Sequence, residues 1–256
     1  MLPSVAMKYR QSFEVRFCES DRRSHLTPIA LFQYLQEAAI GHGDAVEMDG
    51  DALTDLGYAW MMNRLHMHVE RYPKRRETVE VETWGSSLQG LYAIREWRMT
   101  DAANEVIARA TARWIILDIA KRKIIRLPEV LAERYGEHKG RGLEDPFDRM
   151  TPIESGMHEK TFHVRVSELD TNQHANSASY IDWCLEAVPD EVLNEYAPES
   201  LEITYKKESK LGDGLVAQSI EETAPASDAR AFRHAIRLEE TGDLLTMAAS
   251  VWRRVE

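Results

Sequence analysis

Two stretches of the chain carry the reading of its fold: FEVRFCESDRRSHLTPIALFQYLQEA at 13–38 and FHVRVSELDTNQHANSASYIDWCLEA at 162–187. Laid over each other without a gap, at an offset of 149, they match at Phe13 and Phe162, Val15 and Val164, and Arg16 and Arg165. Glu19 meets Glu168, Asp21 meets Asp170, His25 meets His174, Glu37 meets Glu186 and Ala38 meets Ala187, making eight identities in 26 positions. Average composition gives about one or two by chance. A period of that size speaks for a duplicated domain rather than a solenoid.

The pattern inside each copy is the same. Residues 11–17 and 160–166 alternate apolar and polar, as a half-buried strand does. A short polar loop follows, then a helix. Thr27 and Pro28 form an N-cap with proline in the first helical position, and Leu31, Tyr34, Leu35 and Ala38 follow at helical spacing. Gly41 and Gly43 are expected to end it. In the second copy Asn176 is the cap, Tyr180, Trp183, Cys184 and Ala187 form the stripe, and Pro189 stops the helix. Four segments rich in Val, Ile, Tyr, Trp and Thr follow in each half: 65–72, 78–84, 91–99 and 106–118, then 201–208, 214–221, 230–239 and 244–253. A helix with so apolar a face must be covered. The expected architecture is α+β: two long helices packed on a continuous antiparallel β-sheet. An N-terminal domain is expected over 1–126, a polar linker over 127–159 with a short helix at 128–136, and a C-terminal domain over 160–256.

Composition removes several function classes. The chain has 256 residues, 43% hydrophobic and 29% charged, with a net charge of −11. So acidic a protein is a poor partner for a phosphate backbone, and no nucleic acid is expected. No apolar run approaches the ~18 residues of a membrane span, and Met1–Val5 is too short and too weakly basic for a signal peptide, so a cytoplasmic protein is expected. Cys18 and Cys184 give neither a disulfide framework nor a zinc motif. A GxSxG elbow is missing, since Gly85-Ser86-Ser87-Leu88-Gln89 fails at its last position. Neither a P-loop nor GxGxxG occurs. His66 and His68 share a strand face without a readable third ligand, so no metal and no cofactor is expected.

The copies diverge in the loop before the helix. The second reads Asp170, Asn172, His174 and Asn176 at every other position; the first keeps Asp21 and His25 but has Arg23 where the second has Asn172. In an extended segment these four side chains would share one face, close to the unpaired N–H groups and positive end of a helix. A carbonyl docked there would find its developing charge stabilised, with a carboxylate to attack it or activate water. The same residues equally suit an Asx-turn followed by an N-cap, and spacing alone leaves both readings open.

The segment Asp170 to Glu186 resembles the D-x-N-x-H-x-N-x-x-x-Y-x-x-W-x-x-E motif of acyl-acyl-carrier-protein thioesterases. Tyr205-Lys206-Lys207-Glu208-Ser209 is similar to that family's Tyr-Arg-Arg-Glu-Cys, and Leu31 to Ala38 resembles its N-terminal helix. The likeness covers nearly the whole chain. It implies a tandem hotdog fold and hydrolysis of fatty acyl-carrier-protein thioesters in fatty acid biosynthesis. It implies Asp170, Asn172, His174 and Glu208 as the catalytic network, with Asn176 helping to hold the thioester oxygen. Ser209 stands where plant members often have cysteine, which excludes a thiol nucleophile at this position. The first half is implied to hold the acyl chain, with Tyr58, Trp60, Met61, Met62, Leu31, Leu35 and Met67 as expected walls.

Acyl carrier protein is acidic, so its docking needs local positive charge. The clusters are Lys74-Arg75-Arg76, Lys121-Arg122-Lys123, Arg253-Arg254, and Lys206 and Lys207 with Lys210; the last is favoured because it neighbours Glu208. Two other functions suit the same fold: an acyl-coenzyme A thioesterase and a non-catalytic acyl-binding protein. Either a monomer or a homodimer is compatible with the sequence.

Overall fold

The computed structural model describes residues 8–255. Met1–Val5 lies outside them, so the reading of that opening has no structural counterpart. The chain forms two compact units, the first ending at Asp145 and the second beginning at Pro146.

In the first unit β1 (Tyr9–Glu14) leads through a 3-10 turn and a tight loop into α1 (Pro28–Ala45). Then come α2 (Gly50–Asp55), β2 (Tyr58–Val69), β3 (Thr78–Gln89), β4 (Tyr92–Thr100), β5 (Val106–Asp118), β6 (Lys123–Ile125) and α3 (Glu129–Tyr135). The strands pair antiparallel in the order β1-β3-β4-β5-β2, with β6 added to β5. α1 lies against β1 and β3. Its Leu31, Tyr34, Leu35 and Ala38 are buried, as the helical spacing predicts, and the Trp97 indole N–H donates to the Leu35 carbonyl at 2.8 Å.

The second unit repeats this plan. β7 (His158–His163) leads to α4 (Ser177–Glu186) and α5 (Asp190–Glu195), then to β8 (Tyr196–Tyr205), β9 (Gly214–Glu222), β10 (Ala229–Leu238) and β11 (Leu244–Arg254). Its strand order β7-β9-β10-β11-β8 is that of the first unit, strand for strand. Tyr180, Trp183, Cys184 and Ala187 are buried against the sheet, and the Ser219 hydroxyl donates to the Ala187 carbonyl at 2.7 Å. Each unit is thus a long helix wrapped by an antiparallel sheet, the hotdog arrangement, present twice along the chain.

Several element limits differ from expectation, among them the start of β2 at Tyr58 and the end of β1 at Glu14, and two differences bear on the cavity. α1 runs through Gly41 and Gly43 to Ala45. These glycines are there for close packing: a Cβ on Gly41 would lie 2.5 Å from the Tyr9 hydroxyl, and one on Gly43 3.2 Å from the Met48 carbonyl oxygen. The stretch 127–159 also does more than link. Its first part carries α3, whose Leu131 and Tyr135 are buried in a cluster with Val46, Met48, Leu53 and Ile116 of the first unit.

Candidate active site

The loop before each helix is the same structure twice. In the second unit the Asp170 carboxylate Oδ1 accepts from the Asn172 N–H at 2.8 Å and the His174 N–H at 3.2 Å. Asp21 accepts from Arg23 and His25 at 2.8 and 2.9 Å in the first unit. Ser24 and Gln173 both stand at φ 63, the left-handed conformation that closes such a turn. The segment 170–176 is therefore an Asx-turn and not an extended strand, and its polar residues do not converge through strand alternation. Asp170 fixes the turn. Asn172 is exposed, and Asn176 Oδ1 caps α4 by accepting from the Ala178 N–H at 2.9 Å.

One approach across the loop is specific to the second unit. His174 Nδ1 lies 3.2 Å from Glu208 Oε2, with the histidine side chain 29% and the glutamate 52% exposed. The register explains the asymmetry. The Ala175 N–H bonds the Ser209 carbonyl, as the Leu26 N–H bonds that of Pro73. His174 bridges to Lys210, as His25 does to Lys74. The position before Pro73 is Tyr72, so the first unit has an aromatic side chain where the second has Glu208.

The end of β8 is pinned beneath α4. The Ser209 N–H donates to the Tyr180 hydroxyl at 2.8 Å, the two hydroxyls are 2.7 Å apart, and the Tyr205 hydroxyl donates to the Ser177 carbonyl at 3.1 Å. Ser209 is fully buried in this hydrogen-bond network and offers no nucleophile to solvent. Burial likewise pushes the Cys184 thiol up, so it stays protonated in the core. Lys206, Lys207 and Lys210 are exposed beside Glu208, and Lys207 pairs with Asp243 at 3.0 Å.

The first unit contains an apolar cavity of about 260 Å³ between the C-terminal half of α1 and the sheet. Gln36, Ile40, Leu88, Trp60, Trp114 and Tyr135 are among its walls. Of the residues expected to line it, Trp60 does. Leu31, Leu35 and Met67 are core residues at 2% exposure or less, and Tyr58 packs on the cluster around Tyr135. Met61 and Met62 are half-buried on β2 and do not line it. The first turns of α1 press directly on the sheet, and room opens only where Ala39 and Gly43 replace large side chains. Arg95, Trp114 and Tyr135 are walls that the helical spacing does not reveal, and an arginine between inward Ala93 and Trp97 is the signal the sequence carries.

Comparison with known proteins settles the family. Residues 6–135 match the model of the acyl-ACP thioesterase N-terminal domain, and residues 153–254 match that of the C-terminal domain. The chain belongs to the acyl-acyl-carrier-protein thioesterase family. It is therefore a thioester hydrolase. A chloroplastic oleoyl-acyl carrier protein thioesterase of Coriandrum sativum is 27% identical over 99% of this chain and 79% of its own length. A chloroplastic acyl-carrier-protein hydrolase of Cuphea viscosissima is 28% identical over 96% of this chain, which spans 62% of that protein. The 12:0-ACP thioesterase of Umbellularia californica shares the fold at a TM-score of 0.87 and 23% identity, covering 97% of this chain and 94% of that one. Among the described residues no helix is long and apolar enough to cross a membrane.

Proposed function

We propose that this thioesterase hydrolyses fatty acyl-carrier-protein thioesters with His174 and Glu208 as its reacting pair. The observation that carries the reading is the 3.2 Å approach of His174 Nδ1 to Glu208 Oε2, in a loop whose twin has Tyr72 instead. An ionised Glu208 draws the imidazole proton to Nδ1 and leaves Nε2 as the base, the logic of a histidine oriented by a carboxylate. Nε2 takes a proton from water as the water oxygen bonds the thioester carbonyl carbon. The C–S bond then breaks, and the imidazolium returns the proton to the departing sulfur. The free fatty acid and the carrier thiol are the products. Developing charge on the carbonyl oxygen is met by the start of α4 and by the side-chain amides of Asn172 and Asn176. Asp170 contributes by holding the turn that presents His174.

The cavity of the first unit is apolar, as an acyl chain requires, and Lys206, Lys207 and Lys210 form the docking patch for the acidic carrier. The reaction belongs to fatty acid synthesis and takes place in the cytoplasm. A hydrolysis screen across chain lengths, with matched carrier-protein and coenzyme A thioesters, tests this. Turnover of carrier-bound substrates should exceed that of the coenzyme A series, and charge reversal at Lys206 and Lys207 should raise KM for the carrier-bound ones alone. Faster turnover of coenzyme A thioesters would overturn the choice of carrier.

A further inference from the structure

Arg95 is a charged residue in a place built for hydrocarbon. It stands on β4 between Ala93 and Trp97, both buried, so strand alternation turns it inward, and it lines the cavity. Its Nη1 lies 3.0 Å from His42 Nδ1 and 3.2 Å from the Thr83 hydroxyl oxygen, and its guanidinium lies 5.3 Å from the Tyr135 ring centre. Among the described residues no carboxylate pairs with it. The buried acids of this unit are taken elsewhere: Glu19 by Arg16, Glu82 by Arg10 and Arg98, Glu96 by Arg141, Asp118 by Lys121 and Asp145 by His66. Asp49, which also lines the cavity, has Oδ1 engaged by the Ala52 N–H at the start of α2.

Two further donors lie close by: His42, which touches Arg95 without lining the cavity, and Trp114 on its wall. To accept from Arg95, His42 must be bare at Nδ1 and protonated at Nε2, and that buried Nε2 has no partner among the described residues. The indole Nε1 of Trp114, another wall residue, is also buried without one. A methyl-ended chain filling the cavity would strip water from the guanidinium and return nothing. An incoming carboxylate would accept charge-assisted hydrogen bonds from it.

We propose that the cavity selects acyl chains whose far end carries a carboxylate, with Arg95 as the specificity-determining residue. The choice of substrate class rests on the thioesterase reading; binding to the cavity does not. Trp60 and Trp114 line it and report occupancy by fluorescence. The purified protein is titrated with monomethyl decanedioate and with methyl decanoate, which share an ester end and differ only in a terminal carboxylate or methyl. The carboxylated probe should bind roughly tenfold tighter or better, about the discrimination of one charge-assisted contact. Arg95→Met should erase that preference and Arg95→Lys should keep part of it. Equal or tighter binding of the methyl-ended probe by the unaltered protein overturns the proposal, as does a preference that survives in Arg95→Met. The first comparison decides even where a variant fails to fold. Hydrolysis assays of the matching carrier-protein thioesters run in parallel. A binding preference without turnover of any thioester would refute the catalytic reading and leave this one standing.

Discussion

Asp170 is the residue at which chemistry and local structure compete. Its carboxylate makes the same two bonds as that of Asp21, in a unit whose loop lacks the glutamate partner. An amide oxygen accepts those bonds equally well. Asp170→Asn should therefore keep kcat within about tenfold of the parent, whereas a nucleophile or base at this position would lose roughly 10²–10⁴. Steady-state kinetics on a carrier-bound substrate distinguishes the two. Ser209→Ala should keep turnover and lower stability by about 1 kcal/mol through the lost Tyr180 hydrogen bond, read by urea unfolding. The loop's residues were legible in the sequence, but their geometry was not. Polar residues at every second position describe a strand face and an Asx-turn alike, and only the φ of Gln173 and the two N–H bonds to Asp170 separate them.

At the scale of elements, the helices and strands were readable because each buries one face and repeats its pattern in the other copy. The end of α1 was not, because glycine both stops helices and admits close neighbours. Tyr9 of β1 lies where a Gly41 side chain would go. Gly41→Ala should thus change stability by less than about 1 kcal/mol, because alanine's better helix propensity is offset by the shift it forces on the half-buried Tyr9 ring, a balance that calorimetry can check. The cavity's walls were only partly legible for a related reason. Sequence spacing marks which residues of α1 face inward, but both core and cavity walls face inward. The volume appears only where small residues, Ala39 and Gly43, meet α3, a segment that composition marked as linker.

For the molecule as a whole, each unit encloses a histidine that burial keeps neutral. Burial holds His42 down to about 3, with Arg95 adding to the effect, and His234 also to about 3. An unfolded histidine takes up its proton near the ordinary value of about 6.5. Between about 6.5 and 3 the unfolded chain binds more protons than the folded one, so stability falls as pH is lowered through that window. Glu19 adds to this below about 4.5. Burial raises its pKa, but hydrogen bonds from Arg16 and Tyr34 outweigh that and bring it to about 2, so its contribution is lost as pH falls toward that value. Urea midpoints measured from pH 7 to pH 4 should decline steadily. His234→Gln should flatten the decline in the second unit while lowering stability at pH 7, where it breaks the bond to Ser250.

The duplication also frames the central claim: two copies of one loop, of which only one meets a glutamate. Single-turnover hydrolysis of a fatty acyl-carrier-protein thioester by His174→Ala, Glu208→Gln and the double variant tests it most directly. If the two side chains act as a unit, each single change lowers the rate by roughly 10²–10⁴ and the double falls little below the worse single. Near-parental hydrolysis by Glu208→Gln, or losses that simply multiply in the double variant, would contradict it.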